Sequence, residues 1–225
     1  MPRRFVGIDP GPVLSGLVVL DPSRGVTLAQ VLDNRDVLRW ITAARVYKPD
    51  DGLAVEWVSS FGMPVGREVF ETCLWAGRFL QAWPYPEDVT LIPRKEVKLA
   101  LCGSSVAKDA NVRQALLDLF PATGGGNVPQ IGIKSHPGPL YGIGTHGWSA
   151  LAVAVVASWR EAARDGHPTP LYASPTPIEQ LCTEAIPTAH DVAVEAERVA
   201  EEQRRAKELA EKNKRPIPRN LRFQA

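Results

Sequence analysis

The chain has 225 residues, 44% of them hydrophobic, with 26 Lys and Arg against 25 Asp and Glu and a net charge of +1. That is enough apolar material for one core plus an appendage, and a charge too even for a globally basic nucleic-acid binder, so such a partner must be met by a local patch. The longest apolar run, residues 150–159, is too short for a bilayer span, no apolar signal region opens the chain, and Cys73, Cys102 and Cys182 are too dispersed for metal ligation or disulfides.

These features describe a soluble chain of the cytoplasm, with no membrane partner and with cysteines acting as buried small hydrophobes. Three β-rich runs come first, at residues 4–8, 16–20 and 26–32. The first leads to Asp9, a Pro10-Gly11 turn follows, and the second returns, which reads as a pair of strands carrying one carboxylate. Asp9 has two readings: a turn-capping aspartate, or a buried carboxylate that needs a cation or donors to offset its desolvation. Asp33 and Asn34 form a cap for a helix in which Val37, Leu38, Ile41, Ala44 and Arg45 keep helical spacing.

Residues 52–58 are a fourth strand, again with one carboxylate, Glu56, in apolar surroundings. A loop from Ser59 to Pro64 leads into an amphipathic helix over 65–83, and residues 89–92 are a fifth strand closed by Pro93. Helices over 95–101 and 109–120 flank a Gly103-Ser104 turn. Residues 121–145 are rich in Gly and Pro without periodicity, and a loop of that length is more often functional or mobile than a plain connection. A helix over 146–164 closes the globular part, giving a domain at 1–165. Residues 166–187, with five prolines, are a linker, and 188–225 form a charged helical and basic tail. The tail opens on Thr188-Ala189-His190-Asp191, similar to a capping box, and its last 23 residues hold eight Lys or Arg against two Glu. It is either a solubilising segment or a tether to DNA or a protein partner.

One basic cluster stands out. Arg94, Lys95, Lys98, Lys108 and Arg113 outnumber Glu96 and Asp109 by five to two within twenty residues. The cluster is either a solvated helical face or a phosphate-binding patch.

The order of a strand with Asp, two strands, a helix, a strand with Glu, a helix, a strand and further helices is that of the ribonuclease-H-like fold. Four places resemble the RuvC family of Holliday-junction resolvases, and more closely its relatives from phages and mobile elements. They are Gly7-Ile8-Asp9-Pro10-Gly11 with Ser15-Gly16; Val55-Glu56; Lys98 through Gly103 to Ala107-Lys108-Asp109; and His146-Gly147-Trp148-Ser149-Ala150-Leu151-Ala152. The resemblance covers about residues 4–164 and implies an α/β, five-stranded mixed sheet flanked by helices. It implies catalytic roles for Asp9, Glu56, His146 and Ser149, with Asp9, Glu56 and His146 as ligands to Mg²⁺ or Mn²⁺, two ions per site. It further implies branched DNA as substrate, a homodimer, and a bacterial host cytoplasm for a phage-encoded member. Lys95, Lys98, Lys108 and Arg113 would meet the phosphate backbone, and Phe61 and Met63, in the loop after Glu56, would reach the junction centre.

Relatives carry an Asp one turn after position 146, where this chain has Ser149, and a hydroxyl is a poor metal ligand beside a carboxylate. That substitution sustains a second reading, a non-catalytic branched-DNA-binding or assembly factor on the same fold. An actin-like ATPase shares the first motif but needs a second phosphate-binding hairpin. Gly124-Gly125-Gly126, the only glycine cluster, has no Asp-bearing strand before it.

Overall fold

The computed structural model describes residues 3–43, 51–59 and 64–166, together with Arg204. Phe61, Met63, Cys182 and, apart from Gly166 and Arg204, the expected linker and tail lie outside the described residues.

Five strands make one mixed sheet: β1 (Phe5–Asp9), β2 (Leu14–Asp21), β3 (Gly25–Asp33), β4 (Gly52–Trp57) and β5 (Val89–Pro93), in the order β3-β2-β1-β4-β5. The first three run as antiparallel neighbours, while β4 lies parallel to β1, and β5 parallel to β4. Central strands covered on both faces need apolar residues at successive positions, which is why β1 and β4 read as continuous runs. Val6, Ile8, Leu53 and Val55 are fully buried, as are Ala54 and Val18.

The pleat nevertheless separates two sets of side chains. Phe5, Val18, Leu20, Ala54 and Ile92 join one core cluster with α3 (Arg94–Cys102), α4 (Asp109–Leu119) and α5 (Thr145–Arg164). Alternation places Gly7 and Asp9 on the same face as Phe5, and Glu56 on the same face as Ala54. Val6, Ile8 and Leu17 point the other way, on the side of α1 (Asn34–Thr42), which packs against α2 (Arg67–Ala82).

α5 is the central helix, packed on β1, β2 and β4 and buried almost without interruption from Ala150 to Arg160. Its small residues admit a close approach. A Cβ on Gly7 would stand 2.1 Å from the Ala150 carbonyl oxygen. The glycine therefore serves helix-to-sheet contact rather than a turn.

Helix ends follow local chemistry. The Asp33 carboxylate accepts from the Arg35 amide at 2.8 Å and starts α1. Gly103, at φ 67°, ends α3 in the left-handed region that glycine enters without strain. The expected irregular loop contains a small two-stranded unit, β6 (Gly132–Ile133) with β7 (His136–Pro137). The Gly124 amide donates to the Pro129 carbonyl at 2.8 Å, and Leu140 is fully buried. Two-residue strands leave no periodicity for a sequence to show.

One expectation fails at the cysteines. Cys73 is exposed on the outer side of α2, and Cys102 is half-buried. Thr72, Ala76 and Phe79 take the inward positions of α2, which puts Cys73 outside. Among the described residues no helix is long and apolar enough to cross a membrane.

Candidate active site

Parallel pairing brings the first two carboxylates together. Ile8 is the register partner of Val55, so Asp9 and Glu56 follow side by side at the same edge, both on the α5 face. Their side chains are only 16% and 15% exposed. The next strand continues the pattern: Glu56 pairs with Ile92 and Trp57 with Pro93, after which α3 begins with Arg94. Packed over that same face, the first turns of α5 supply His146 and Ser149, which share a helix face at i and i+3.

The structure thus gathers all four residues expected to be catalytic. His146 Nδ1 lies 2.9 Å from Asp9 Oδ2. The Ser149 hydroxyl accepts from Arg94 Nη1 at 3.1 Å and also favours the ionised form of Asp9. Behind Asp9, a buried relay fixes the turn. The Gly11 amide donates to Ser15 Oγ at 3.2 Å, the Ser15 hydroxyl donates to Asn34 Oδ1 at 2.5 Å, and Asn34 Nδ2 donates to the Gly11 carbonyl at 2.9 Å. Each polar group in this closed set has a partner, as buried polar groups require.

Electrostatics mark the pair as strained. Burial holds the Asp9 carboxyl above the usual carboxylate range, against the pull of His146 and Arg94. Glu56 is pushed up to about 7, first by burial and then by the charge of Asp9, with Arg94 opposing both. A buried carboxyl displaced as far as Glu56, with a second acid and a guanidinium against it, is a mark of function.

Arg94 is the participant that sequence reasoning misplaced. Its guanidinium donates from Nη1 to Glu56 Oε2 at 3.2 Å and from Nη2 to Asp109 Oδ1 at 2.8 Å. Asp109 is also paired with Lys98 at 3.3 Å, and the hydrogen bond from Arg94 chiefly draws its carboxyl below the usual range. Arg94 therefore turns inward to Glu56, while Lys98 is paired with a carboxylate that is itself exposed. The parallel register of β4 and β5 was the signal, since it sets the residue after Pro93 beside the end of the Glu56 strand.

Lys95, Lys108 and Arg113 are exposed. Lys108 stands at the start of α4, where its amide donates to Asn111 Oδ1 at 3.1 Å. The Arg113 guanidinium lies over the Trp148 ring, 4.9 Å from its centroid. An open hollow of about 430 Å³ borders the site, lined by Arg94, Asp109, Arg113, Thr145, Trp148 and Ser149 among others.

Among the described residues no three His, Cys, Asp or Glu side chains are already gathered about one point as a full metal cage. The donor chemistry fits a hard divalent ion all the same. Burial, with the charge of Asp9 added to it, lifts Glu56 to about 7, and Mg²⁺ is commonly held by one or two carboxylates with phosphate and water completing its shell.

A scan against protein-family models and a search of curated proteins each return no match. Solved structures do match. The chain is 21% identical to Thermus thermophilus RuvC in complex with a Holliday junction substrate, covering 75% of this chain and 99% of that one, at a TM-score of 0.50. Against another structure of T. thermophilus RuvC the identity is 20%, with the same coverage and a TM-score of 0.48. The chain has the RuvC-like, ribonuclease-H-like fold expected from its motifs.

Proposed function

We propose that this chain is a metal-dependent endonuclease that cuts branched DNA, four-way junctions above all, by hydrolysing a phosphodiester at the Asp9–Glu56 edge. The observation that carries this reading is the buried carboxylate pair itself, delivered by two parallel strands and raised in proton affinity beside a cationic hollow. A protein holding such a pair for stability alone would gain by neutralising it. The RuvC-like fold supports the same reading, because the four-way junction is what the similar T. thermophilus protein is bound to.

Asp9, Glu56 and His146 would hold the divalent ion, which would supply charge neutralisation and the activation of water for attack on the phosphodiester. Asp9 holds Nδ1 of His146, so the other ring nitrogen, on a side chain 46% exposed, is the one free to act as ligand. Arg94 presents a permanent positive charge toward the phosphate, with Ser149 as its neighbour in the site. Lys98, Lys95, Lys108 and Arg113 follow the backbone away from the cut. Phe61 and Met63 take the role of apolar wedge at the junction centre.

A homodimer fits the two-fold symmetry of a four-way junction. α2 offers a surface for it: Phe70 and Leu74, at i and i+4, are 64% and 62% exposed. The tail, by its basic composition, is a candidate tether to DNA or to a protein partner.

One observation favours the second reading, a factor that binds branched DNA without cutting it. Glu56 is already paired with Arg94, and position 149 is a hydroxyl. An end-labelled synthetic four-way junction, incubated with Mg²⁺ or Mn²⁺ and the wild-type, D9N or E56Q chain, separates the two. Cleavage by wild type alone, with junction binding retained in both variants, supports the nuclease. Tight binding with no cleavage under any divalent ion supports the binding factor.

A further inference from the structure

Arg94 spans the space between Glu56 and Ser149, the two positions that a second ion in a RuvC-type site would need. Arg94 Nη1 is 3.2 Å from Glu56 Oε2 and 3.1 Å from Ser149 Oγ. Nη2 is anchored 2.8 Å from Asp109 Oδ1, and Lys98 Nζ lies 3.3 Å from the same oxygen. A guanidinium fixed at both ends and 27% exposed is part of the site's architecture, not a surface side chain that swings in.

We infer that Arg94 is the fixed second cation of this site, so that the chain takes one divalent ion, anchored by Asp9, and not two. The inference rests on the nuclease reading and deepens it. Charge balance argues for it. Asp9, Glu56 and Asp109 bring three negative charges, and Arg94 and Lys98 bring two positive ones. The remaining single negative charge is met by one divalent ion together with one phosphodiester, which leaves the loaded site neutral. A second divalent ion would leave two uncompensated positive charges in a half-buried cleft, where such charges cost most. The serine at 149 belongs to the same arrangement. A hydroxyl accepts the guanidinium hydrogen bond without adding a charge, whereas an acid there would call for another cation.

Arginine also limits what this half of the site can do. Its guanidinium remains charged at any working pH and has no acceptor, so it stabilises negative charge on phosphate oxygens but cannot generate hydroxide. Attack and charge stabilisation are thereby divided between an ion and a side chain.

Mn²⁺ binding to the full chain without DNA, followed as loss of the free-ion electron paramagnetic resonance signal, tests this apart from activity. Wild type should bind one ion, and D9N should lose it. The R94Q/S149D double variant should bind two, once circular dichroism shows it folded. S149D alone should stay at one, because Arg94 remains in place to pair with the new acid. Two ions in wild type, a second ion gained by S149D alone, or one ion in a folded double variant each overturn the assignment while leaving the nuclease reading intact. No ion bound by wild type or by the double variant sinks the metal-dependent reading, and this inference with it.

Discussion

Gly16 has no side chain because the backbone of His146 fills the space where one would stand: a Cβ there would lie 2.2 Å from the His146 carbonyl oxygen and 2.5 Å from its carbonyl carbon. Gly16 is also the register partner of Asp9. One residue thus sets both the strand beside the first carboxylate and the height of the helix carrying the imidazole.

The variant G16A should push the start of α5 off the sheet and separate His146 from Asp9. Overpacking of this kind costs about 1–3 kcal/mol, so the melting temperature should fall. Single-turnover junction cleavage should fall further than that loss explains, with binding less affected. Full activity in a folded G16A would show that the helix start tolerates displacement.

Glu56 should make stability depend on pH. Its carboxyl titrates near 7 in the folded chain against an ordinary value of 4.5. A raised carboxyl pKa means that the folded state holds a proton the unfolded state has lost, so the associated stability is present at low pH and declines as pH rises through 7. The difference amounts to about 3 kcal/mol. Chemical denaturation in metal-free buffer should show E56Q gaining on wild type from pH 5 to pH 8, by a margin of this size. Added Mg²⁺ should narrow the margin at pH 8. Parallel stability curves would mean that Glu56 ionises normally.

Asn34 closes the relay that fixes the turn after Asp9. Asn34→Ala leaves the buried Ser15 hydroxyl and Gly11 carbonyl without that partner, at a cost of about 1–3 kcal/mol. Junction cleavage should drop through a looser Asp9 turn, and the denaturation midpoint should fall with an unchanged slope. An unchanged midpoint would show that water replaces the amide without loss.

Lys108 is exposed at the head of α4, where the proposed DNA path leaves the site. Replacing it with Ala should weaken junction binding across sequences and reduce the salt slope by about 1. An unaltered slope would return Lys108 to the solvated face of its helix.

The sheet was legible because its strands are continuous β-rich runs separated by Pro and Gly, and because carboxylates interrupt two of them. Asp9 and Glu56 were visible as charges in apolar surroundings, and His146 and Ser149 through their place in a motif. The part played by Arg94 was not visible, because a run of Arg94, Lys95 and Lys98 looks uniformly basic in one dimension. Only the register between β4 and β5 separates the inward guanidinium of Arg94 from the outward Lys95. The Ser15–Asn34 relay was hidden for a related reason. Asn34 reads as a helix cap, yet Asp33 takes that role and frees Asn34 to turn into the core. Cys73 misled in the opposite sense, its residue type suggesting burial on a helix whose phase places it outside.

The contact between α5 and the first two strands has a consequence for synthesis. The helix that supplies His146 and Ser149 is the last described element of the domain, while Asp9 and its glycines are among the first residues made. Until residues 145–164 have been made and seated against Gly7 and Gly16, the early strands offer an incomplete site that lacks its imidazole. A long-range contact of this kind forms late and slowly. On the proposed nuclease reading, chain order alone keeps the cutting site incomplete until the whole domain has closed.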